Sequence, residues 1–150
     1  YYEEFSLPGR RMNTSRGWEI YPQIMYDMAM RLKSEYGNIP WFIAESGMGI
    51  EQEERFADSK GTIQDDYRIS YISEHLSSLL DAVHEGANCN GYMLWAFTDC
   101  VSPMNAFKNR YGLVRIDLED DKKRSLKQSG YWYRDLIQSK RLEVAEHTYK

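Results

Sequence analysis

Two short apolar runs, each followed at once by polar residues, place the strongest constraint on the fold of this chain. The first run covers positions 41–44 and ends at Glu45, and the second covers positions 91–97 and ends at Thr98 and Asp99. Because both runs are apolar at nearly every position, they predict strands that are buried on both faces, as in a parallel sheet covered by helices. The carboxyl ends of such strands carry the chemistry in α/β barrels. The polar residues after the two runs therefore predict a functional site.

The segments around these strands have the 3.6-residue spacing of amphipathic helices. Helices are predicted over about 22–36, 65–85 and 129–139, and a further short strand is predicted over 113–118. Either Asp65 or Asp66 is expected to cap the second helix. Segments 1–17 and 46–64 contain several chain breakers and are predicted to be loops. The alternation of helix and strand predicts an α/β fold.

The composition excludes several classes of function. The formal net charge of −4 argues against a nucleic-acid-binding surface. No segment has the length and apolarity of a transmembrane helix, and Cys89 and Cys100 lack the spacing of a metal or redox site. No membrane partner, metal or cofactor is therefore predicted, and the oligomeric state is left open. The 12 tyrosines, 5 phenylalanines and 4 tryptophans can fill a core or line a groove for a sugar.

Six short motifs follow one another along the chain. Residues 43–47, Ile-Ala-Glu-Ser-Gly, resemble the nucleophile motif I-T-E-N-G of glycoside hydrolase family 1, with Ala44 and Ser46 as departures. The other five segments resemble W-x-I-x-P, D-x-x-R-I-x-Y with H-L, G-Y-x-x-W-S-x-x-D, R-F/Y-G-L and K-x-S-x-x-W-Y; they lie at 18–22, 66–76, 91–99, 110–113 and 127–133. Each motif alone is weakly specific, but six in the family's order are highly specific.

The resemblance implies that residues 1–150 are the C-terminal segment of a catalytic (β/α)8 barrel. They would supply about the seventh and eighth βα units and form an incomplete barrel. Glu45 would be the nucleophile of a retaining β-glycosidase. The acid/base glutamate of the family lies in an N-E-P motif that this sequence lacks, so the isolated chain is expected to be inactive.

The loop after the second strand resembles the 6-phospho-β-glucosidase branch of the family. Ser102 stands where ordinary β-glucosidases carry a sugar-binding glutamate, and the resemblance implies that Ser102, Lys108 and Tyr111 bind the 6-phosphate group. Asn109 occupies the usual place of the family's phosphate lysine, so whether Lys108 or Asn109 faces the phosphate stays open. Trp95 matches the tryptophan that stacks on the sugar. Pro103 stands where phosphogalactosidases carry a tryptophan, which favours a gluco substrate. Because phosphorylated sugars arise on uptake into the cell, a cytoplasmic location is expected.

Two alternatives stay open from the sequence. The protein could be an ordinary β-glucosidase with an altered binding loop. It could also be a noncatalytic sugar-binding or interaction module, since the acid/base residue is absent.

Overall fold

The computed structural model describes residues 8–143, which form an α/β arrangement of helices packed on short strands. The helices are α1 (Ile24–Glu35), α2 (Asp66–His84) and α3 (Gln128–Ser139). The two longest strands are β3 (Trp41–Ser46) and β5 (Cys89–Leu94). The shorter elements are β1 (Met12–Asn13), β2 (Trp18–Glu19), β4 (Ile50–Glu51), a 3-10 helix (Glu53–Phe56), β6 (Asn109–Arg110), β7 (Val114–Ile116) and β8 (Arg124–Leu126).

The two long strands lie side by side and run parallel, as the sequence predicts. Trp41 pairs with Cys89 and Ser46 pairs with Leu94, so the carboxyl ends of β3 and β5 are level with each other. A parallel pair needs a crossover connection, and α2 supplies it. The level strand ends bring the loop after Glu45 next to the loop after β5.

A small apolar core joins α1 and α2 to the strand pair. Ala29 of α1 meets Leu79 and Ala82 of α2, and Ala87 lies just before β5. The small side chains let the two helices pack closely against each other and against the strands. The periodicity that predicts these helices therefore corresponds to their buried faces.

The opposite face of the strand pair is uncovered within the described residues. Phe42 of β3 is 57% exposed and Met93 of β5 is 52% exposed, although both belong to the apolar runs. Phe97, just past β5, is 72% exposed. The expectation that both faces are buried is therefore met on one face only, because two strands are too few to close a barrel.

Two details of the sequence prediction differ from the structure. Segment 1–17 was predicted as loop, but β1 and β2 form a short antiparallel pair that joins Met12 to Glu19; residues 1–7 lie outside the described residues. Asp65 occupies the N-cap position of α2 without capping it through its side chain. Its carboxylate is instead engaged by Arg68 and Ser129.

Candidate active site

Glu45 lies at the carboxyl end of β3, where its side chain is exposed to a cleft. The cleft has a volume of about 640 Å³. Within the described part of the chain, the Glu45 carboxylate has no ion-pair partner. Four residues that the sequence analysis named as site residues line the cleft, namely Glu45, Trp95, Ser102 and Tyr111. A carboxylate without a compensating cation is available to attack an electrophilic carbon.

The glycines after Glu45 let this loop approach the Trp95 backbone and the Tyr111 ring closely. A Cβ atom on Gly47 would lie 1.6 Å from the carbonyl oxygen of Trp95, and one on Gly49 would lie 2.4 Å from the Tyr111 ring. Real Cβ atoms do not come so close to backbone, so only glycine fits at position 47. The Trp95 amide also donates a hydrogen bond of 2.9 Å to the Ser46 carbonyl. The motif around Glu45 is thus shaped by contact with the loop that carries Trp95.

The Ser102 hydroxyl is held in a tight turn. The Ser102 amide donates to the Ala106 carbonyl at 2.9 Å, and the Ala106 amide donates back at 2.8 Å. The amide of Met104 donates to Ser102 Oγ at 3.3 Å. Because this bond uses a lone pair of the hydroxyl, its hydrogen remains available to a ligand acceptor.

Tyr111 offers a second hydroxyl in the same cleft, and the residue as a whole is buried. Burial raises the pKa of Tyr111, and the positive charge of Arg16 acts in the opposite direction. The phenol is therefore protonated at neutral pH and can donate a hydrogen bond.

Lys108 is not brought into the cleft. Its ammonium lies 3.2 Å from the Glu51 carboxylate, and its side chain is 65% exposed. The neighbouring Asn109 is fully buried, and neither its amide nitrogen nor its amide oxygen has a hydrogen-bond partner among the described residues. Neither residue lines the cleft, so phosphate binding by Lys108 stays a prediction.

Arg16, Glu19 and His75 also line the cleft, and sequence reasoning did not assign them a role there. Glu19 forms an ion pair with Arg10. The Nδ1 atom of His75 lies 2.7 Å from the Tyr71 carbonyl oxygen, which requires the hydrogen on Nδ1. Burial lowers the pKa of His75, so the ring is neutral at pH 7. The only sequence signal for Arg16 was its position two residues before Trp18, the first residue of the W-x-I-x-P motif.

A buried ionic network lies beneath the loops that form the cleft. Arg68 of α2 donates to Asp65 at 2.8 Å and to Glu53 at 2.5 Å. It also donates to the Tyr111 carbonyl at 2.9 Å and to the Met48 carbonyl. One guanidinium thus connects the loop after β3 to the segment that carries Tyr111.

Lys127 extends this network to α3. Its ammonium lies 2.5 Å from Glu53 and 2.8 Å from Asp99, and it is fully buried. Asp99 in turn accepts hydrogen bonds from the backbone amides of Gly112 and Ile116, at 3.0 and 3.3 Å. Asp99 thus orients the loop after β5 through backbone hydrogen bonds.

Residues 8–143 were also compared with what a metal site and a membrane-spanning helix require. No group of three or more histidine, cysteine, aspartate or glutamate side chains is arranged to hold a metal ion. No helix in this part of the chain is both long and apolar enough to cross a membrane.

Comparison with known proteins now decides the family. The sequence profile of Glycosyl hydrolase family 1 matches residues 7–142. The chain belongs to glycoside hydrolase family 1. It is 51% identical to the 6-phospho-beta-glucosidase GmuD of Bacillus subtilis, over 99% of this chain and 30% of that protein. It is 40% identical to a 6-phospho-beta-galactosidase of Staphylococcus aureus, over 87% of this chain and 27% of that protein.

Solved structures agree with this membership. A family 1 β-glucosidase from Thermotoga maritima superposes with a TM-score of 0.84 at 29% identity, over 93% of this chain and 31% of that one. The family 1 chain therefore spans about 30% of the length of its curated relatives. The fold class is confirmed as part of an α/β barrel, with about two βα units and no closed barrel among the described residues.

Proposed function

We propose that the complete protein carrying this chain is a retaining glycosidase that hydrolyses 6-phospho-β-D-glucosides. The observation that carries the proposal is the meeting of Glu45, Ser102 and Tyr111 in one cleft. The resemblance to the 6-phospho-β-glucosidase GmuD supports the same substrate class.

Glu45 is the nucleophile in this proposal. In a retaining mechanism its carboxylate attacks the anomeric carbon, while a second carboxyl group about 5–5.5 Å away protonates the leaving oxygen. That second group first protonates the leaving oxygen and later removes a proton from the attacking water. It is a different residue from the nucleophile. We assign it to an upstream segment of the barrel, since the N-E-P motif is absent from these 150 residues.

Ser102 and Tyr111 suit a phosphate because both are neutral donors. A carboxylate about 4 Å from a phosphate would repel it by roughly 1–4 kcal/mol, depending on the local dielectric. A serine hydroxyl avoids this repulsion and donates a hydrogen bond, and the protonated phenol of Tyr111 supplies another. Trp95 is 47% exposed at the cleft and offers an aromatic face on which a sugar ring can stack.

The sugar is proposed to have the gluco configuration. Pro103 follows Ser102 and lines the cleft, whereas phosphogalactosidases are expected to carry a tryptophan there. Phosphorylated sugars are products of uptake, so we place the reaction in the cytoplasm.

The test compares two substrates in the complete protein. It measures kcat/KM for 4-nitrophenyl 6-phospho-β-D-glucoside and for 4-nitrophenyl β-D-glucoside. We expect the phosphorylated substrate to be preferred, and Ser102→Glu to lower the preference at least tenfold, since about 1.4 kcal/mol of repulsion suffices for that change. Ser102→Ala should lower it less, because it removes a hydrogen bond without adding charge.

Ser125→Glu serves as the matched control, since Ser125 is exposed on β8 outside the cleft. It should leave the preference unchanged. A wild-type preference for the unphosphorylated sugar would favour an ordinary β-glucosidase instead. Failure to hydrolyse either substrate, together with a reading frame that has no upstream barrel, would favour a noncatalytic module.

A further inference from the structure

Arg16 is the one arginine or lysine among the described residues that line the cleft. The phosphate site predicted from the sequence depends on Lys108 for positive charge. In the structure, however, the Lys108 side chain pairs with Glu51 outside the cleft. A dianionic phosphate needs positive charge close to it as well as neutral donors. The cleft therefore contains a cation to which the proposed function gives no role.

The turn that carries Arg16 is fixed to the loop that follows Glu45. The amide of Arg16 donates to the Asn13 carbonyl at 3.1 Å, and the Asn13 side-chain amide donates to the Gly49 carbonyl at 2.9 Å. The Ser15 hydroxyl accepts a hydrogen bond of 3.1 Å from the Glu51 amide. The turn at Arg16 is thus hydrogen-bonded to the loop that follows the proposed nucleophile.

The guanidinium of Arg16 has donor capacity left over. Its central carbon lies 4.3 Å from the centroid of the Trp18 ring, which is within cation–π distance. Its Nε atom is buried and has no hydrogen-bond partner within residues 8–143. No carboxylate of the described residues lies within ion-pair distance of it. A buried donor without an acceptor is costly, and a bound anion would remove that cost.

The charge of Arg16 already acts on the proposed phosphate site. It is among the influences on the Tyr111 phenol, where its positive charge opposes the effect of burial on the pKa. Arg16 and Tyr111 both line the cleft.

We propose that Arg16 is a specificity-determining residue that binds the substrate's 6-phosphate group alongside Ser102 and Tyr111. This inference rests on the proposed function, because it assumes a phosphorylated sugar. The planar guanidinium can donate two parallel hydrogen bonds to phosphate oxygens, which a lysine cannot do. The Trp18 ring contacts this guanidinium at cation–π distance.

The test replaces the cation and measures selectivity in the complete protein. Arg16→Met keeps a long stem over Trp18 but removes the charge and the donors. We expect it to lower the kcat/KM ratio of phosphorylated over unphosphorylated 4-nitrophenyl glucoside by roughly 10- to 100-fold, the size typical of a lost charge-assisted hydrogen bond. The loss should appear mainly in KM for the phosphorylated substrate, and Arg16→Lys should restore part of it.

Binding of glucose 6-phosphate and of glucose, measured by calorimetry, gives a readout independent of turnover. Arg16→Met should weaken the first and leave the second unchanged. Arg31→Met makes the same chemical change on the surface of α1, where Arg31 pairs with Glu35, and should alter neither ligand. Lys108→Met tests the alternative that Lys108 supplies the positive charge for the phosphate.

The outcomes separate this inference from the proposed function. If the wild type prefers the phosphorylated substrate but Arg16→Met retains the ratio, the Arg16 assignment is wrong and the proposed function stands. A drop in the ratio with Lys108→Met alone would assign the phosphate to Lys108. Equal losses on both substrates would mean that Arg16 only maintains the structure of the loop. If the wild type shows no preference for phosphate, both proposals are wrong.

Discussion

At the scale of single residues, Glu45 owes its position to its neighbours on both sides. The apolar run before it forms β3, which places the carboxylate at the carboxyl end of a strand. The Ser46-Gly47 step after it fits against the Trp95 backbone because position 47 has no side chain. The two features together hold the carboxylate at the cleft that contains Ser102 and Tyr111.

We predict that Glu45→Ala in the complete protein lowers kcat by several orders of magnitude, because it removes the nucleophile that forms the covalent intermediate. Azide should then restore turnover by attacking the anomeric carbon directly, and the product should be a glycosyl azide of inverted configuration. Rates and product configuration can be followed by absorbance and by proton NMR. Glu119→Ala, at an exposed turn, is the matched control. Near-normal turnover in Glu45→Ala, or no effect of azide, would remove Glu45 from this role.

Lys108 lies outside the cleft, and its role in phosphate binding stays a prediction. A motif gives the order of residues in a loop, but the direction of each side chain depends on contacts that are distant in sequence. Here β4 pairs with β6 so that Glu51 lies opposite Asn109, and this pairing also puts Glu51 within reach of the Lys108 ammonium. Arg16 reaches the cleft from a turn that lies more than eighty residues before Ser102 in the chain, and no local sequence pattern there indicates a ligand-binding residue.

At the scale of elements, periodicity predicted the long pieces and missed the short ones. The bounds of α1, α2 and α3 lie close to those predicted, because each helix has a continuous apolar stripe packed on its neighbours. The two-residue strands β1, β2, β4 and β6 were not predicted. A strand of that length has too few residues to show alternation, and β4 and β6 are in addition far apart in sequence.

The buried network gives a structural role to several motif residues for which the sequence alone showed only a resemblance to the family. Arg68, Asp99 and Lys127 belong to three different motifs, and in the structure they hold α2, the loop after β5 and the start of α3 together. Glu53 contacts both cations. These residues touch the loops around the cleft from below, so their effect on activity would act through loop position.

We predict that Lys127→Met destabilises the complete protein by about 3–5 kcal/mol. The change leaves the buried carboxylates of Glu53 and Asp99 without their shared cation, and breaking a buried ion pair from one side typically has this cost. Urea denaturation followed by tryptophan fluorescence measures the free energy of unfolding. Lys123→Met is the control, since Lys123 is an exposed lysine paired only with Asp120 at 3.5 Å, and it should change stability by less than about 1 kcal/mol. A loss of similar size in both variants would contradict the role given to the network.

At the scale of the whole molecule, the exposed apolar side chains show which part of the architecture the chain lacks. Phe42 and Met93 lie on the uncovered side of the strand pair, and Phe97 is exposed just past β5. In a closed barrel this side faces the interior and meets the other strands. The sequence anticipated an incomplete barrel, because two long strands cannot account for eight.

We predict that the isolated 150-residue chain has no glycosidase activity and self-associates. Two causes act together. Among residues 8–143, the paired strands β3 and β5 each leave one edge without a partner, and unpaired edges next to exposed apolar side chains promote association. Retaining hydrolysis also needs a second carboxyl group near Glu45, and Glu19, the other carboxylate that lines the cleft in this part of the chain, is engaged by Arg10.

Size-exclusion chromatography with light scattering measures the association, and the 4-nitrophenyl substrates measure the activity. The complete protein is the positive control for both, and it should be monodisperse and active under the same conditions. A chain that is monomeric, melts cooperatively and hydrolyses substrate would contradict the prediction. In that case Glu19→Gln would be the next variant to assay, because Glu19 would then be the candidate for the missing acid.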